Sequence, residues 1–383
     1  MRITFLMPCY MWVPSGGFRI VYEYANRLTT RGHEVTVVHP RWLRKCYFEH
    51  RTLRGWAGTF RRFGRELFWT PSIDWQHVDE RVQLLFVPSS DPRYIPDGEV
   101  LFATAWHTVH SVLECSPSKG RKFYLIQGYE TFLGPKELVD ATWRAPLHKV
   151  VIAKWLLEVG KVLGAQDMAH ISNAIDHERF RLIRPIAGRP RQVSMMFSTT
   201  PLKGSADGIE AVRIARNRFP DLRVVFFGTS QRPAWIPEWV DYHRNPAQDF
   251  LVSEIYNRSS IFLSPSWTEG FGLTPAEAAA CGCAIVTTDS GGVRDFISHG
   301  VTGLLSPARD PRSLAENLCN LLEDETSRVR LAEAGNVFIR QFTWERNTTL
   351  LENVISQGLG IGVGGRSEGK RRAAESFAVE PTR

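Results

Sequence analysis

Long apolar runs are absent from this sequence of 383 residues. A helix that spans a bilayer needs about 20 consecutive apolar residues, and no stretch of the chain approaches that length. The apolar part of residues 1–8 is also too short for a secretory signal, so these residues are expected to form a buried strand. The pattern argues against a chain that crosses the membrane as helices.

Cysteine is scarce, with six residues scattered along the chain. Only Cys281 and Cys283 lie close together, and their surroundings lack the further ligands of a zinc site. This usage favours buried free thiols in a reducing compartment, and the expected location is the cytoplasm. No cluster of metal ligands is present in the sequence, so neither a metal nor another cofactor is expected.

Lysine is also rare, since 9 of the 47 basic residues are lysine and the other 38 are arginine. The net charge of +7 favours an anionic partner, and arginine suits phosphate recognition. A GC-rich genome would produce the same arginine bias. Basic charge alone would fit nucleic acid, but no nucleic-acid-binding motif accompanies it, so no such partner is expected.

The length of the chain predicts two domains. Residues 184–191 contain two prolines and a glycine and form the best boundary in the sequence. The first domain is therefore expected within residues 1–186 and the second within residues 191–341. The glycine-rich and then polar residues 358–383 are expected to be disordered.

The most informative stretch runs from a short apolar strand, residues 261–265, into a loop with two glycines at 267–272. Thr274 is a predicted N-cap of the following helix, and Glu277 falls where a capping box has its acid. Residues 284–288 read as the next strand. Strand, loop, helix and strand make one βαβ unit, and open α/β sheets bind ligands at the carboxyl ends of such strands.

Glu269 and Glu277, with seven residues between them, resemble the E-x7-E donor site of retaining GT-B glycosyltransferases of family 4. The motifs at 290–293 and 300–305 follow at the family's usual intervals, and Asp295 stands where the family usually has Glu. The resemblance implies that the first glutamate contacts the donor sugar and the second holds the ribose. It also implies that the residues between them line the sugar and phosphates: Gly270, Phe271, Gly272, Leu273 and Thr274. On spacing alone, Glu277 only caps its helix and Glu269 is a solvated loop carboxylate.

The start of the chain also resembles this family, since a strand, a Gly-Gly turn and a helix ending in Arg-Gly-His occur there in order. The resemblance places Gly16 and Gly17 at the interdomain cleft. In the second domain, Lys203 and Gly204 match the family's phosphate-binding Lys-Gly pair.

The arginine that the family places five or six residues before that lysine is missing, because Ser198 and Phe197 occupy these positions. The hydroxyls of Ser198 and Thr200 are expected to donate hydrogen bonds to the donor without adding charge. Arg19, beside the Gly-Gly turn, is the candidate substitute from across the cleft.

Gln127 falls where many family members carry a histidine close to the transferred sugar, and the surrounding Gln-x-Tyr-Glu resembles the rhamnosyltransferase-like branch. Gln127 can hydrogen-bond the sugar but cannot act as an acid or base. Glu130 is a second candidate in this loop. His107 follows another strand end and is a candidate catalytic residue, although a histidine in that position is more often structural.

Residues 41–65 carry eight basic residues, six aromatics and a single acid, and lie in a predicted insert at 41–75. This mixture is typical of a segment that contacts an anionic membrane surface or an anionic acceptor. The competing interpretation is a solvated helical insert whose aromatics pack on the domain.

Taken together, the residues and the resemblance predict an α/β protein with the GT-B architecture, in which two Rossmann-like domains face a central cleft. The resemblance also implies that residues 342–357 form a last helix that crosses back to the first domain. The resemblance implies a metal-independent, retaining glycosyltransferase of the EC 2.4 class that uses a UDP-, GDP- or dTDP-sugar. A glycan or lipid-linked acceptor at the cytoplasmic face of the membrane is expected. Three alternatives remain: a catalytically weak sugar-nucleotide-binding subunit, a GT-B nucleotide-sugar epimerase or hydrolase, and a basic nucleic-acid-binding protein.

Overall fold

The computed structural model describes residues 1–42 and 72–361. A seven-stranded parallel sheet, in the order β3-β2-β1-β4-β5-β6-β7, forms the centre of the first domain. Its strands are β1 (Arg2–Leu6), β2 (Glu34–Trp42), β3 (Gln83–Ser89), β4 (Val100–Ala103), β5 (Arg121–Ile126), β6 (His148–Val151) and β7 (Met168–His170). Its helices are α1 (Gly16–Thr30), α2 (Trp106–Glu114), α3 (Lys136–Arg144) and α4 (Lys154–Val162).

A second parallel sheet has six strands in the order β10-β9-β8-β11-β12-β13. Its strands are β8 (Gln192–Met196), β9 (Arg223–Gly228), β10 (Val240–Arg244), β11 (Ile261–Ser264), β12 (Ala284–Thr288) and β13 (Leu304–Ser306). The helices of this half are α5 (Ser205–Arg218), α6 (Gln248–Phe250), α7 (Leu273–Ala280), α8 (Pro311–Glu323), α9 (Glu325–Ile339) and α10 (Trp344–Gly358). A π-helical turn, Leu251–Tyr256, continues α6.

The central strands are continuous apolar runs because helices cover both faces of each sheet. Every residue of β4 and of β11 is buried. In each sheet the strand order reverses beside the first strand, between β1 and β4 and between β8 and β11. Crevices form at the carboxyl ends of strands at such reversals, and the two crevices of this chain lie at the interface between the domains.

Residues 184–191 connect the two sheets, and α10 returns from the second sheet to the first. Before α10 starts, Thr343 forms a parallel bridge with Ile175. Arg31, at the end of α1, then donates to the carboxylates of Glu345 and Glu352 on α10. The last helix is therefore attached to the first domain.

Two predicted local features are wrong. Helix α1 begins at Gly16, so the two glycines predicted as a turn are the first helical residues. Helix α7 begins at Leu273 after Gly272, which has a φ of 96°, so Thr274 is not the N-cap and Glu277 is not part of a capping box. The helix starts earlier because a glycine can take the left-handed conformation that the turn requires.

Other predictions fall on residues that the structure does not describe. Most of the 41–75 insert and residues 362–383 of the expected disordered tail lie outside the described residues. Within residues 1–42 and 72–361, no helix has the length and apolar character needed to cross a bilayer.

Candidate functional site in the interdomain cleft

Lys203 and Glu269 form an ion pair at the carboxyl ends of β8 and β11. The ammonium group lies 2.8 Å and 2.9 Å from the two carboxylate oxygens. The Glu269 side chain is 11% exposed and that of Lys203 is 32% exposed, so the pair is reachable from the cleft. The ammonium group and the two carboxylate oxygens are therefore available to a ligand at the same point of the cleft.

The Lys203 loop is held by hydrogen bonds of its backbone. The Ser205 hydroxyl accepts from the amide of Ser198 and donates to its carbonyl, at 2.9 Å and 2.8 Å. The Trp267 amide donates to the Leu202 carbonyl at 2.8 Å. Gly204 closes the turn with a φ of 60°, and a Cβ there would collide with the carbonyl oxygen of Pro265. These contacts fix Lys203 next to the Glu269 loop.

Glu277 lies in the middle of α7 and is only 2% exposed. Its carboxylate forms an ion pair with Arg19, which comes from the first turn of α1 in the other domain. The Tyr256 hydroxyl lies 3.5 Å from its second oxygen. Burial lowers the pKa of the Arg19 guanidinium, because a charged group loses hydration there. The contact between Arg19 and Glu277 crosses the cleft.

The two domains also approach each other through backbone at this site. A Cβ on Gly270 would collide with the carbonyl oxygen of Gln127, so only glycine allows the loops to lie this close. The Gln127 amide nitrogen donates to the Gly17 carbonyl at 3.1 Å. A Cβ on Gly16 would stand 3.2 Å from the Leu273 side chain. Gly16 and Gln127 therefore face Leu273 and Gly270 of the other domain, and Gly17 contacts Gln127.

Asp295 connects the domains beside this point. Its carboxylate oxygens accept from the Lys154 amide at 3.1 Å and 3.3 Å, and His170 Nε2 lies 3.2 Å from one of them. Lys154 is the first residue of α4, whose N-cap residue, Ala153, has no polar side chain. The Trp155 indole donates to the Gly270 carbonyl at 3.0 Å. A carboxylate of the second domain thus caps a helix of the first.

The remaining predicted donor-site residues differ in what they offer a ligand. The Phe271 ring is buried and packs at 5.2 Å on Phe296, so only its backbone can line the cleft. The Ser198 hydroxyl accepts from the Thr200 amide at 3.1 Å, and Thr200 is exposed. The donor-site roles of these residues stay predictions.

The predicted histidine lies on a different element. His107 is in the first turn of α2 and is 7% exposed, with its ring 5.4 Å from that of Trp106. Burial, together with the neighbouring His110, lowers the pKa of His107 to about 4. The ring is therefore neutral at pH 7, and its assignment as a catalytic residue remains a prediction.

Glu130 occupies the loop after β5, and its carboxylate accepts from the Trp106 amide at the start of α2 at 2.8 Å. Burial raises the pKa of Glu130 to about 7. The carboxyl group therefore titrates near neutral pH, three residues from Gln127.

Sequence reasoning missed several residues of the cleft. The positioning hydroxyl of Ser205 and the contacts of Trp155 and Tyr256 were not predicted. A hydroxyl residue directly after Lys-Gly at a helix start was an available signal for Ser205. Trp155 had no comparable signal, because its partner, Gly270, lies 115 residues away. Within the described residues, no group of three or more His, Cys, Asp or Glu side chains is arranged to hold a metal ion.

Comparison with protein families bears directly on this cleft. Residues 176–337 match the family model described as glycosyl transferases group 1. We call these residues the group 1 region. The group 1 region contains the Lys203 loop, both glutamates and Asp295.

Curated proteins that are similar to this chain have names of glycosyltransferases. One is the D-inositol 3-phosphate glycosyltransferase of Corynebacterium efficiens, 29% identical over 47% of this chain and 46% of that protein. The match thus spans about half the length of that relative. Another is the phosphatidyl-myo-inositol mannosyltransferase of Mycobacterium tuberculosis, 25% identical over 90% of this chain and 93% of that protein.

Solved structures share the whole architecture. HepE of Anabaena, in complex with UDP and glucose, matches with a TM-score of 0.68 at 15% identity, over 93% of this chain and all of that one. Sucrose-phosphate synthase of Thermosynechococcus elongatus matches with a TM-score of 0.68 at 14% identity, over 93% of this chain and 98% of that one. Identities this low establish the fold alone. Two parallel α/β domains around a cleft confirm the predicted GT-B fold.

Proposed function

We propose that this chain transfers a glycosyl group from a nucleotide-sugar donor to a glycan or lipid-linked acceptor, with retention of configuration and without a metal ion. One observation carries the proposal. Lys203, Glu269 and Glu277 converge at one edge of the second sheet, opposite Gly16 and Gln127 of the first domain. Cations, carboxylates and free backbone amides at such a crevice suit a sugar diphosphate.

The names of the relatives support a donor of this class. Two curated relatives are named as a glycosyltransferase acting with inositol phosphate and as a mannosyltransferase. Structures of HepE hold UDP with glucose, or UDP-glucose. We propose a UDP-, GDP- or dTDP-sugar for this chain.

Each residue has a proposed role. Glu277 accepts hydrogen bonds from the ribose hydroxyls, and Glu269 accepts them from the sugar. Lys203 stabilises the diphosphate, with Ser198, Thr200 and the amides of residues 270–274 as hydrogen-bond donors. Gln127 contacts the sugar from the first domain, which also receives the acceptor.

The chemical step requires charge stabilisation more than acid–base catalysis. The bond between the anomeric carbon and the phosphate oxygen breaks, and the acceptor oxygen attacks the same face of the sugar. The acceptor proton passes to the departing phosphate, so the step needs no nucleophile from the protein. Lys203 stabilises the negative charge that grows on the leaving group.

A binding experiment tests the donor site. Melting temperatures are measured with UDP, GDP, ADP and dTDP and their common sugar conjugates, for the wild type and for Glu277→Gln. A ligand that binds the folded state alone raises the melting temperature. We expect one nucleotide class to do so, and Glu277→Gln to lose most of that shift, because a neutral amide is a weaker acceptor for ribose hydroxyls. Glu210→Gln, which alters an exposed pair with Arg213 on α5, is the matched control.

The outcomes separate the candidate functions. No shift with any nucleotide would contradict a donor site. Binding without transfer over a broad acceptor screen would favour a binding subunit, an alternative supported by Phe197 and Ser198 standing where the family has an arginine. Conversion of a free nucleotide sugar without acceptor would favour an epimerase or hydrolase.

A further inference from the structure

The ion pair between Arg19 and Glu277 uses the carboxylate to which the ribose is assigned. Arg19 comes from the first domain and Glu277 from the second, 258 residues apart. The carboxyl side chain is only 3% exposed, and its other oxygen lies 3.5 Å from the Tyr256 hydroxyl. The ribose hydroxyls and the Arg19 guanidinium therefore compete for the same acceptor.

The Arg19 guanidinium needs a negatively charged partner in any position that it takes within the cleft. Its side chain is 22% exposed and lies against Phe180, 5.7 Å from the ring centroid. It lines a small cavity together with Arg179, whose charge disfavours that of Arg19, and with Glu23 and Asp176, whose carboxylates favour it. An arginine in such surroundings keeps its charge, and leaving it unpaired would be unfavourable. If a ribose takes Glu277, Arg19 needs another negative group. Glu23 already pairs with Arg27, and Asp176 already accepts from the amides of Glu178 and Arg179, so the ligand itself is the candidate source of that group.

The position of Arg19 in α1 favours a phosphate as that group. Arg19 lies in the first turn of a 15-residue helix that has no acidic residue in that turn. The first amides of a helix lack partners within it and attract negative charge. Gly16 and Gly17 begin the same turn and face Leu273 and Gln127. The turn therefore combines an arginine with the positive end of a helix.

We propose that Arg19 is a specificity-determining residue that passes from Glu277 to the diphosphate when a donor binds, and so makes ribose binding depend on the phosphates. The inference rests on the proposed function of the cleft. A nucleoside without phosphates displaces Arg19 from Glu277 and offers it no new anion. A nucleoside diphosphate supplies the anion, and Arg19 becomes the second cation beside Lys203.

Because the ribose and Arg19 compete for Glu277, the loss of Arg19 should strengthen the binding of a nucleoside and weaken the binding of its diphosphate. In Arg19→Ala, Glu277 is open to the ribose, so uridine should bind about threefold or more tightly than it binds the wild type. UDP loses a charged contact and should bind about tenfold more weakly. Affinities are measured by calorimetry for UDP and by ligand-observed NMR for uridine. GDP with guanosine, ADP with adenosine and dTDP with thymidine are tested in the same way.

Matched variants keep the test decisive. Arg179→Ala removes a neighbouring guanidinium that does not pair with Glu277, and it should leave the ratio of nucleoside to diphosphate affinity unchanged. Arg19→Lys keeps a cation opposite Glu277 if Arg19→Ala fails to fold, and it should shift the ratio in the same direction by a smaller factor.

The results distinguish this inference from the proposed function. If both affinities fall together in the Arg19 variants, or if neither moves, Arg19 is a structural partner of Glu277 and the inference is wrong while the donor site stands. If the wild type binds none of the four diphosphates, the proposed donor site fails and the inference fails with it.

Discussion

At the scale of single residues, Glu130 links protonation to stability. Its carboxyl group accepts one hydrogen bond from the Trp106 amide, and burial raises its pKa from 4.5 to about 7. Between these pH values the folded protein keeps a proton that the unfolded chain releases. The free energy of unfolding therefore falls as the pH rises from about 4.5 to about 7, and the loss is complete above pH 7.

Glu130→Gln should remove this dependence, because the amide stays neutral and still offers an oxygen to Trp106. At pH 8 the variant should be more stable than the wild type by about 3 kcal/mol, and at pH 4.5 the two should be nearly equal. Urea unfolding at the two pH values measures this difference. A variant that is less stable at both values would show that ionised Glu130 is well solvated or well paired.

Single residues of the cleft could be singled out from the sequence, but their contacts could not, and their roles remain predictions. Lys203, Glu269 and Glu277 were singled out because motif spacing is local information. The pairing of Glu277 with Arg19 was not predicted, although Arg19 was named as a cleft residue. That pair depends on how the two domains approach, which no local pattern contains. The raised pKa of Glu130 is also a consequence of burial, which a single sequence does not specify.

At the scale of elements, the βαβ units of the second domain were largely predictable. Strands β11 and β12 each begin with three apolar residues and end in hydroxyl residues, and they occur where the pattern placed them. The start of α7 was misplaced because Thr274 looked like an N-cap, whereas Gly272 reverses the chain two residues earlier. Short elements with weak periodicity, such as β7 and β13, were missed.

The turn that carries Lys203 gives a prediction at this scale. Gly204→Ala should destabilise the protein by about 3 kcal/mol, since an alanine there is strained at a φ of 60° and its Cβ collides with the Pro265 carbonyl. Gly164→Ala is the matched control, because Gly164 has a φ of 73° with nothing within 4 Å of its Cβ position. The control should lose about 1 kcal/mol.

Urea unfolding measures the loss of stability in both variants. The difference between the two losses gives the cost of the collision, because both alanines have the backbone strain of a positive φ. Gly204→Ala should also weaken nucleotide binding, because the turn holds Lys203 against Glu269. Equal losses of stability in the two variants would mean that the Pro265 carbonyl yields to the added methyl group.

At the scale of the whole molecule, two sheets with the same reversal of strand order bring their crevices together. The two domains were predicted from the length of the chain, and the GT-B architecture from the resemblance of its motifs to the family. The contacts between the domains could not be predicted, because the contacting residues are far apart in the sequence. Gly270 contacts Gln127, and Asp295 accepts a hydrogen bond from the Lys154 amide. Asp295 was identified from the sequence as a departure from the family's usual glutamate. Its short side chain accepts directly from the Lys154 amide at the start of α4.

Asp295 therefore provides a test of how strongly the domains depend on each other. Asp295→Ala should lower the free energy of unfolding by about 1–3 kcal/mol, because α4 loses the carboxylate that caps it and the Lys154 amide loses its acceptor. The Lys154 amide should exchange its hydrogen faster, which mass spectrometry of deuterium uptake can follow. Asp295→Asn keeps an oxygen acceptor and should recover part of the loss.

Asp289→Ala is the control for position in the sequence, since Asp289 pairs with exposed Arg294 on the same segment and caps no helix. That variant should change stability by less than about 1 kcal/mol. Since Asp295 belongs to the second domain and α4 to the first, faster exchange in α4 would show that one domain stabilises the other. Equal stability of Asp295→Ala and Asp289→Ala, with unchanged Lys154 exchange, would instead mean that α4 keeps its first turn without help from across the cleft.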